Sequence, residues 1–225
     1  MRVFIGFDPC EIVAFNVFAH SIWERASKPV SITPVRLEQL PMSRDWHPKQ
    51  SNDFAFSRWL VPWMCGYEGW AVFADCDMLA LADFNELEGY CDSRYAVRVV
   101  KHSHEPENAE KYLGRPQTRY RRKNWSSFIL FNCAKCKFLT PEVANEGDGL
   151  YLHQFQWLLN EQIGELPPEW NYLVGWDSGH DAKVAHFTEG GPYFSEYHGC
   201  EYTQEWESSR DSMLSCAQRE KRKWA

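Results

Sequence analysis

The first 37 residues carry the feature that most constrains the fold: two strand-like apolar segments that flank one helix-like segment. Residues 2–7 read RVFIGF, a run of apolar, aromatic and β-branched side chains that predicts a buried strand. Asp8 and Pro9 then give a helix-start signal, and residues 11–25 carry apolar side chains at roughly helical spacing. Residues 30–37 are a second predicted strand. Because this spacing is typical of a βαβ unit, we expect parallel pairing with a right-handed crossover.

The rest of the chain continues the same alternation without a dividing linker or an internal repeat. Further strands are predicted at residues 70–75, 95–100, 127–132 and 183–187, and helices at residues 53–65 and 150–159. Pro62 must kink or end the first of these helices because proline lacks the backbone N–H that a helix needs. With 225 residues, of which 44 % are apolar, the chain can fill one core, so we predict a single α/β domain over residues 1–225.

Charge and cysteine content narrow the classes of function. The formal net charge is −7, so no general basic excess indicates nucleic acid as a partner. No apolar run reaches membrane-spanning length, and the first strand meets Asp8 too early for a signal sequence, so we expect a cytosolic protein with reduced thiols. Cys133 and Cys136 have zinc-ligand spacing, but no second pair completes a site, which favours a structural role over zinc binding.

Two polar segments stand apart from the predicted core. Residues 101–124 form a long basic loop, which could receive an anionic acceptor or could be an ordinary solvated loop. Residues 201–225 form a predicted helical tail that begins acidic and ends REKRKW, an order that complements a helix dipole. The same basic end could touch an anionic membrane surface, which would place the protein peripherally at the inner membrane face.

Two aspartates one residue apart, Asp75 and Asp77, follow the apolar strand WAVFA. Carboxylates are rare in such surroundings unless a cation pairs with them, and Mg²⁺ or Mn²⁺ suits oxygen ligands and can bridge two phosphate oxygens. The turn would lie beyond the carboxyl end of a strand, where open α/β sheets bind ligands. The alternative is a loop with two exposed aspartates, since so short a motif is common.

Two other features carry chemistry that suits a phosphate ligand. His186 ends a short strand and precedes a Gly-Gly-Pro turn; imidazole binds Mn²⁺, and glycines let backbone N–H groups approach a phosphate. Arg58 lies in an apolar helix pattern and could pair with a diphosphate at two points. The alternatives are a core histidine beside an ordinary turn and a surface salt bridge.

The order of these motifs resembles the retaining glycosyltransferases of family 8, the glycogenin and galactosyltransferase type. The resemblance rests on DCDML, NWSSFILFNC, LPPEWNYLVG and HFTEGGPYF and covers residues 3 to about 206. It implies a GT-A fold, a Rossmann-like, mixed and mostly parallel sheet flanked by helices. It also implies a metal-dependent enzyme that moves a hexose, with retention, from a UDP-sugar or other nucleoside diphosphate sugar to a glycan or lipid-linked acceptor.

The resemblance further implies roles for individual residues. Asp75, Asp77 and His186 match the ligands of Mn²⁺ or Mg²⁺. Arg58 matches a basic residue near the diphosphate, and Gln154 matches a residue beside the reacting anomeric carbon. The other matches contact the donor: Phe7 and Asp8 at the nucleobase, Ser126, Ser127 and His153 at the sugar, and Gly191 in the turn that closes on the phosphates.

Three positions depart from the family pattern. Pro9-Cys10-Glu11 follows Asp8 where a polar residue and a tyrosine are usual, which weakens any inference about the ribose. Gly191 stands where a lysine usually precedes the proline, so another cation, Arg58 or Lys123, would have to neutralise the leaving diphosphate. His153 replaces a carboxylate.

Two other functions also fit an acidic strand end. A sugar nucleotidyltransferase usually has a Gly- and Lys-rich diphosphate loop after its first strand, whereas this chain has Asp8-Pro9-Cys10. A non-catalytic nucleotide-sugar or glycan-binding module would keep the fold and the aromatic residues without a complete metal set. The presence of Asp75, Asp77 and His186 favours an enzyme.

Overall fold

Two sheets and a short hairpin make up the strands of the computed structural model, which describes residues 1–47, 50–106 and 110–215. Within these residues the strands are β1 Arg2–Gly6, β2 Ser31–Val35, β3 Trp70–Ala74, β4 Met78–Ala80, β5 Val97–Val99, β6 Glu110–Lys111, β7 Arg115–Pro116, β8 Phe128–Asn132, β9 Ile163–Glu165, β10 Tyr172–Leu173 and β11 Val184–His186. The central sheet has the order β2-β1-β3-β8-β5-β9. The pairs β1–β2, β1–β3 and β5–β9 are parallel, whereas β8 runs antiparallel to both neighbours.

The helices surround this sheet. The α-helices of the described residues are α1 Ile12–Arg25, α2 Val61–Met64, α3 Pro141–Glu146, α4 Gly149–His153 and α5 Thr203–Leu214. The Asp8 carboxylate caps the 3₁₀ turn Pro9–Glu11 that leads into α1, because it accepts the Cys10 N–H at 2.9 Å. One face of α1, with Val17, Phe18 and Ile22, is fully buried, and the helix packs against β4 and α5.

The second sheet has the order β10-β11-β4, with β10 parallel and β4 antiparallel to β11. The register pairs His186 with Met78. In the central sheet, the antiparallel pairing of β3 with β8 ends at Ala74 and Phe128. Because both pairings end beside the turn that joins β3 to β4, residues from three distant parts of the chain meet at one edge of the molecule.

The predicted α/β fold with a mixed, mostly parallel sheet flanked by helices is confirmed. The βαβ start is also confirmed, since β1 and β2 pair in parallel around α1. The buried strands form where apolar and β-branched residues cluster, and the fully buried Trp59, Trp170 and Trp206 show that large aromatic rings fill the interior.

The two predicted central helices are much shorter than expected. Residues 53–65 contain turns, the 3₁₀ segment Ser57–Leu60 and then α2, because Pro62 cannot donate to a preceding turn and lies instead in the first turn of a new helix. Residues 150–159 continue α4 only to His153. The chain then leaves the helix at Phe155, which has a left-handed φ of 53° and a fully buried side chain.

The two polar segments have partly regular structure. The basic loop contains the β6–β7 hairpin, and α5 lies within the predicted tail. The REKRKW segment at residues 219–224 lies outside the described residues. Among the described residues, no helix combines the length and the apolar character that crossing a membrane requires.

Candidate metal centre

The turn Asp75-Cys76-Asp77 joins β3 to β4 and is buried throughout. Asp75 is 9 % and Asp77 4 % exposed, and the Cys76 side chain points into the core. The Asp75 N–H donates to the Ser127 carbonyl at 2.9 Å, which continues the β3–β8 pairing by one residue. The sequence alternative of two exposed aspartates is therefore wrong, and both carboxylates need a compensating partner.

His186 completes a three-residue cluster with these aspartates. The β4–β11 register places it opposite Met78, next to Asp77, and the Phe187 N–H donates to the Asp77 carbonyl at 2.8 Å. One ligand atom each from Asp75, Asp77 and His186 can be chosen so that all three lie within 4.8 Å of one another. This is the only such group of His, Cys, Asp and Glu residues within the described ranges.

Asn171 orients the His186 ring. Its Oδ1 lies 2.9 Å from His186 Nδ1, and its own amide donates to the Asn124 carbonyl at 3.2 Å and to Ser127 Oγ at 3.0 Å. Because both amide hydrogens are used, Oδ1 faces the ring and accepts the proton on Nδ1. The lone pair of His186 Nε2 is then directed at the carboxylates, 3.4 Å from Asp77 Oδ1.

The residues fit a divalent cation. Asp77 Oδ1 is buried and accepts no hydrogen bond from the described residues, a condition expected where an ion or water supplies the partner. Burial raises the pKa of Asp75 to about 6, which Arg58 opposes. Two carboxylates and one neutral imidazole suit Mg²⁺ or Mn²⁺.

Arg58 is buried beside the turn. Its Nη1 lies 2.9 Å from Asp75 Oδ1 and donates to the Ser126 carbonyl at 2.7 Å, while Nε donates to the Phe54 carbonyl at 3.3 Å. The sequence left open a surface salt bridge for Arg58. The ion pair with Asp75 is instead buried, since Arg58 is only 4 % exposed. Arg58 brings one fixed positive charge to the candidate metal centre.

A cleft of about 290 Å³ opens onto the candidate metal centre. Seven residues singled out in the sequence line it: Arg58, Asp75, Asp77, Ser126, Ser127, His153 and His186. Lys111 and Lys123 line it as well. Burial lowers the pKa of Lys123 to about 8, with the charge of Lys111 acting in the same direction. The cleft therefore combines acidic and basic walls, which suits a metal-bound anionic ligand.

Ser126, Ser127 and His153 form part of one hydrogen-bonded wall. Ser126 Oγ lies 2.7 Å from His153 Nδ1, and Ser127 Oγ donates to the Asn124 carbonyl at 2.7 Å. The His153 ring packs edge-on against Trp59, 5.5 Å between centroids. Burial, reinforced by Arg58, holds the pKa of His153 well below its usual range, so the ring is neutral.

Four predicted site residues do not line this cleft: Phe7, Asp8, Gln154 and Gly191. Phe7 packs against Phe15 and lies 4.7 Å beneath the Arg36 guanidinium. Asp8 is buried and forms a two-point ion pair with Arg115, at 2.6 and 3.2 Å. Burial alone would raise the pKa of Asp8, but Arg115 and the backbone N–H groups of Cys10 and Asp53 together more than offset it and lower the pKa.

Gln154 and Gly191 have local roles in the described structure. Gln154 follows α4, and its Oε1 accepts the Gln156 amide at 3.1 Å. Gly191 is buried in the turn after β11, where a Cβ atom would lie 2.5 Å from the Tyr193 ring. A side chain at this position would collide with that ring, which is a packing reason for glycine here.

Two further groups near the site, Asn171 and Glu11, were not predicted from the sequence. Asn171 is flanked by Trp170 and Tyr172, and an amide between aromatic residues was the available signal. Glu11 is also buried, and its carboxylate accepts hydrogen bonds from Tyr112 Oη and, at 2.9 Å, from Tyr193 Oη. Burial and the negative charge of Asp77 raise the pKa of Glu11 to about 7. The only sequence signal for Glu11 was that the segment Pro9-Cys10-Glu11 departs from the family pattern.

Cys133 and Cys136 belong to no metal-binding group of the described residues. Cys133 and Cys136 are buried, and Cys136 Sγ donates to the Ala96 carbonyl at 3.4 Å. Since the described residues contain no further group of the metal-binding kind, the predicted structural role fits the packing of these thiols.

Comparison with known proteins gives one close relative and several structural neighbours. No protein-family model matches the chain. Protein CDI of Arabidopsis thaliana is 43 % identical over 217 residues, which cover 91 % of this chain and 84 % of that protein.

The structural neighbours are glycosyltransferases. The bifunctional glycosyltransferase WbbM superposes with a TM-score of 0.65 at 15 % identity, over 93 % of this chain and 49 % of the WbbM chain. The glycosyltransferase GlyE of Streptococcus pneumoniae TIGR4 gives 0.60 at 13 % identity, over 93 % and 59 %. The galactosyltransferase LgtC, solved with donor and acceptor sugar analogues, gives 0.58 at 10 % identity, over 97 % and 98 %.

The chain thus spans about half the length of WbbM and 59 % of GlyE, but nearly all of LgtC. At these identities the superpositions establish the fold, which is the GT-A fold of these glycosyltransferases.

Proposed function

The chain belongs to the same family as Protein CDI of Arabidopsis thaliana, and we propose that it is a metal-dependent glycosyltransferase that uses a nucleoside diphosphate sugar as donor. The observation that carries the proposal is the buried cluster of Asp75, Asp77 and His186 at the edge of a GT-A sheet, beside a cleft with basic side chains. Carboxylates, one oriented imidazole and nearby cations together suit a metal ion and a diphosphate.

Asp75, Asp77 and His186 hold the cation, Mn²⁺ or Mg²⁺, in this proposal. When bound, the ion acts as a Lewis acid on the diphosphate and neutralises part of its charge. Asn171 keeps His186 Nε2 unprotonated and directed at the site through its bond to Nδ1. Asp77 supplies the carboxylate oxygen that no described donor satisfies.

Arg58, Lys111 and Lys123 stabilise the leaving diphosphate. They line the cleft from different elements, and Arg58 is held in place by the Ser126 carbonyl. Fixed charges in a partly enclosed cleft need little reorganisation when negative charge develops. They take the place of the lysine that the family pattern has before its proline and that Gly191 replaces here.

The remaining donor contacts follow the resemblance. Ser126, Ser127 and His153 contact the sugar, a hexose, from the wall of the cleft that they form. Phe7 and Asp8 contact the base, which we take to be uridine, and the backbone at Gly191 closes on the phosphates. Since Arg115 occupies both Asp8 oxygens, a contact between Asp8 and the base requires Arg115 to exchange partners.

The reaction proceeds with retention at the anomeric carbon. The bond from this carbon to the phosphate oxygen breaks, and the acceptor hydroxyl forms its new bond on the same face. The departing phosphate oxygen takes the hydroxyl proton, so no protein base is required. Gln154 does not line the cleft in this structure, so its side chain must turn away from Gln156 to support the positively charged anomeric centre. The acceptor is a glycan or a lipid-linked glycan.

A panel of sugar nucleotides with Mn²⁺ tests this function. We expect release of nucleoside diphosphate from one donor by the wild-type protein and a loss of at least about 100-fold in Asp77→Asn, because a metal ligand is removed. The matched control is Asp181→Asn, which makes the same change in charge at an exposed aspartate. The assay measures free nucleoside diphosphate against time.

Other products in the same assay would contradict the proposal. Binding of a sugar nucleotide without turnover, whatever acceptor is added, would indicate a binding module. Release of pyrophosphate from a nucleoside triphosphate and a sugar phosphate would indicate a nucleotidyltransferase. Equal activity of Asp77→Asn and wild type would exclude Asp77 from the site.

A further inference from the structure

A second cavity, of about 650 Å³, adjoins the cleft. Tyr120 lines both, so the two spaces share a wall residue. Most of the described wall residues of the second cavity come from the basic loop, and the others are Trp125, Asn160 and Ile163. None of the candidate metal ligands lines this cavity, so it is distinct from the metal centre.

Positive charge is concentrated around this cavity although the whole chain carries a net charge of −7. Among the described residues that line it, the cationic side chains outnumber the carboxylates, with Lys101, Arg119, Arg121 and Arg122 against Glu105. Arg121 is exposed and makes no ion pair within the described residues. Burial and the neighbouring charge of Arg121 both lower the pKa of Arg122, which indicates like charges held close together. An anionic ligand would relieve this repulsion.

Arg122 is held in one orientation. Its Nη1 donates to the Gln154 carbonyl and its Nη2 to Asn160 Oδ1, each at 2.6 Å. The guanidinium also lies 5.0 Å from the centre of the Trp125 ring. These contacts connect the second cavity to the segment that carries Gln154, the residue proposed to act beside the anomeric carbon.

Two neutral imidazoles add hydrogen-bonding groups to the walls. His102 and His104 line the cavity, and Nε2 of each is buried and has no hydrogen-bond partner among the described residues. Burial lowers the pKa of His102 to about 3 and that of His104 to about 4, so both are uncharged at neutral pH. Neutral imidazole nitrogens suit hydroxyl groups, and unpaired buried polar groups are uncommon unless a ligand or water completes them.

Aromatic rings supply the apolar part of the cavity. Trp125 is fixed by a bond from its Nε1 to the His102 carbonyl at 2.8 Å, and Tyr120 lies at the boundary with the cleft. Rings of this kind present a flat apolar face with a polar edge, which matches the alternating C–H and O–H surfaces of a pyranose.

We propose that this second cavity binds the acceptor, and that the acceptor is a glycan with an anionic substituent, a carboxylate or a phosphate. The arginines bind the anionic group, the two imidazoles bind hydroxyls, and the aromatic rings pack on the sugar. The shared Tyr120 wall places an acceptor hydroxyl within reach of the donor cleft. This identification of the acceptor rests on the function proposed above.

Direct binding tests the proposal without any reaction. Isothermal titration calorimetry uses three probes: trigalacturonate for carboxylates, mannose 6-phosphate for phosphate, and neutral maltotriose. We expect at least one anionic probe to bind at least about tenfold more tightly than maltotriose. Arg121→Glu should weaken that binding at least about tenfold, because it replaces a positively charged hydrogen-bond donor by a negative charge. His104→Phe, which keeps a ring but removes the nitrogens, should also weaken binding.

The control is Lys137→Glu, which makes the same charge change at an exposed lysine outside the cavity and should bind like wild type. Equal binding of neutral and anionic probes, no binding of either anionic probe, or equal loss in Lys137→Glu would each overturn the proposal. Nucleoside diphosphate release from donor alone should be the same in wild type and Lys137→Glu. If anionic probes bind but no donor is hydrolysed by any variant, the glycosyltransferase function fails and the anionic glycan site stands.

Discussion

At the residue scale, the orientation of one side chain decides whether the acidic turn can hold a metal ion. Asn171 is fully buried and bonds His186 Nδ1, and this bond presents Nε2 to Asp75 and Asp77. Such outer contacts fix the tautomer of a ligating imidazole as well as its direction. Asp75 differs from Asp77 because one of its oxygens forms an ion pair with Arg58. Asp77 and His186 therefore supply ligand atoms that no cationic side chain of the described residues engages.

Removal of Asn171 should therefore weaken metal binding while leaving the ligands in place. We expect Asn171→Ala to lower Mn²⁺ affinity by about 10- to 100-fold, the usual effect of losing such a contact, as measured by electron paramagnetic resonance titration of free Mn²⁺. Asn16→Ala, on the exposed side of α1, is the control. Wild-type affinity in a folded Asn171→Ala protein would contradict the role of Asn171.

At the scale of elements, the basic loop is fastened to the core by contacts from several of its residues. Tyr112 bonds Glu11, Arg115 pairs with Asp8, and Lys111 Nζ donates to the Thr188 carbonyl at 3.4 Å. The loop supplies Lys111, Tyr120 and Lys123 to the cleft, so these contacts with the core hold one wall of the proposed donor site in place.

The Glu11 contact has a pH dependence that can be measured. The pKa of Glu11 is about 7 in the folded protein and about 4.5 when unfolded, so the folded state holds the extra proton between these values. The stability that the folded protein gains by holding this proton is complete below pH 4.5 and is lost as the pH rises through 7. Glu11→Gln cannot ionise, so its free energy of unfolding relative to wild type should rise by on the order of 2 kcal/mol between pH 5 and pH 8.

Chemical denaturation of both proteins across this pH range checks the prediction. Glu146→Gln, at an exposed glutamate in α3, should show no comparable change relative to wild type. A difference between Glu11→Gln and wild type that stays constant with pH would show that Glu11 does not titrate in this range.

The positions of the strands could be predicted from the sequence, whereas the helix lengths and the strand order could not. Strands were predictable because WAVFA and SFILFN are buried on both faces and therefore almost continuously apolar. Helix lengths were not, since the left-handed Phe155 and the restart at Pro62 depend on packing against the core. The antiparallel insertion of β8 between β3 and β5 was also out of reach, because strand order depends on contacts between distant segments.

At the scale of the whole molecule, the GT-A architecture gathers the candidate site from distant parts of the chain. The β4–β11 register brings His186 beside Asp77, 109 positions away in the sequence, a proximity that spacing alone does not show. The types of the three candidate ligands were predictable from chemistry and from the order of motifs. The orientation by Asn171 and the second cavity were not, because both depend on contacts that have no local sequence pattern.

The central claim is that Asp75, Asp77 and His186 bind a metal ion that holds the diphosphate of the donor. The most direct measurement is an anomalous difference map, recorded near the manganese absorption edge, from a crystal soaked with Mn²⁺ and UDP. We expect one strong peak at about 2.0–2.3 Å from oxygens of both aspartates and from His186 Nε2, with the diphosphate bound to the same ion. Diphosphate density in the cleft without a metal peak at these three side chains would contradict it.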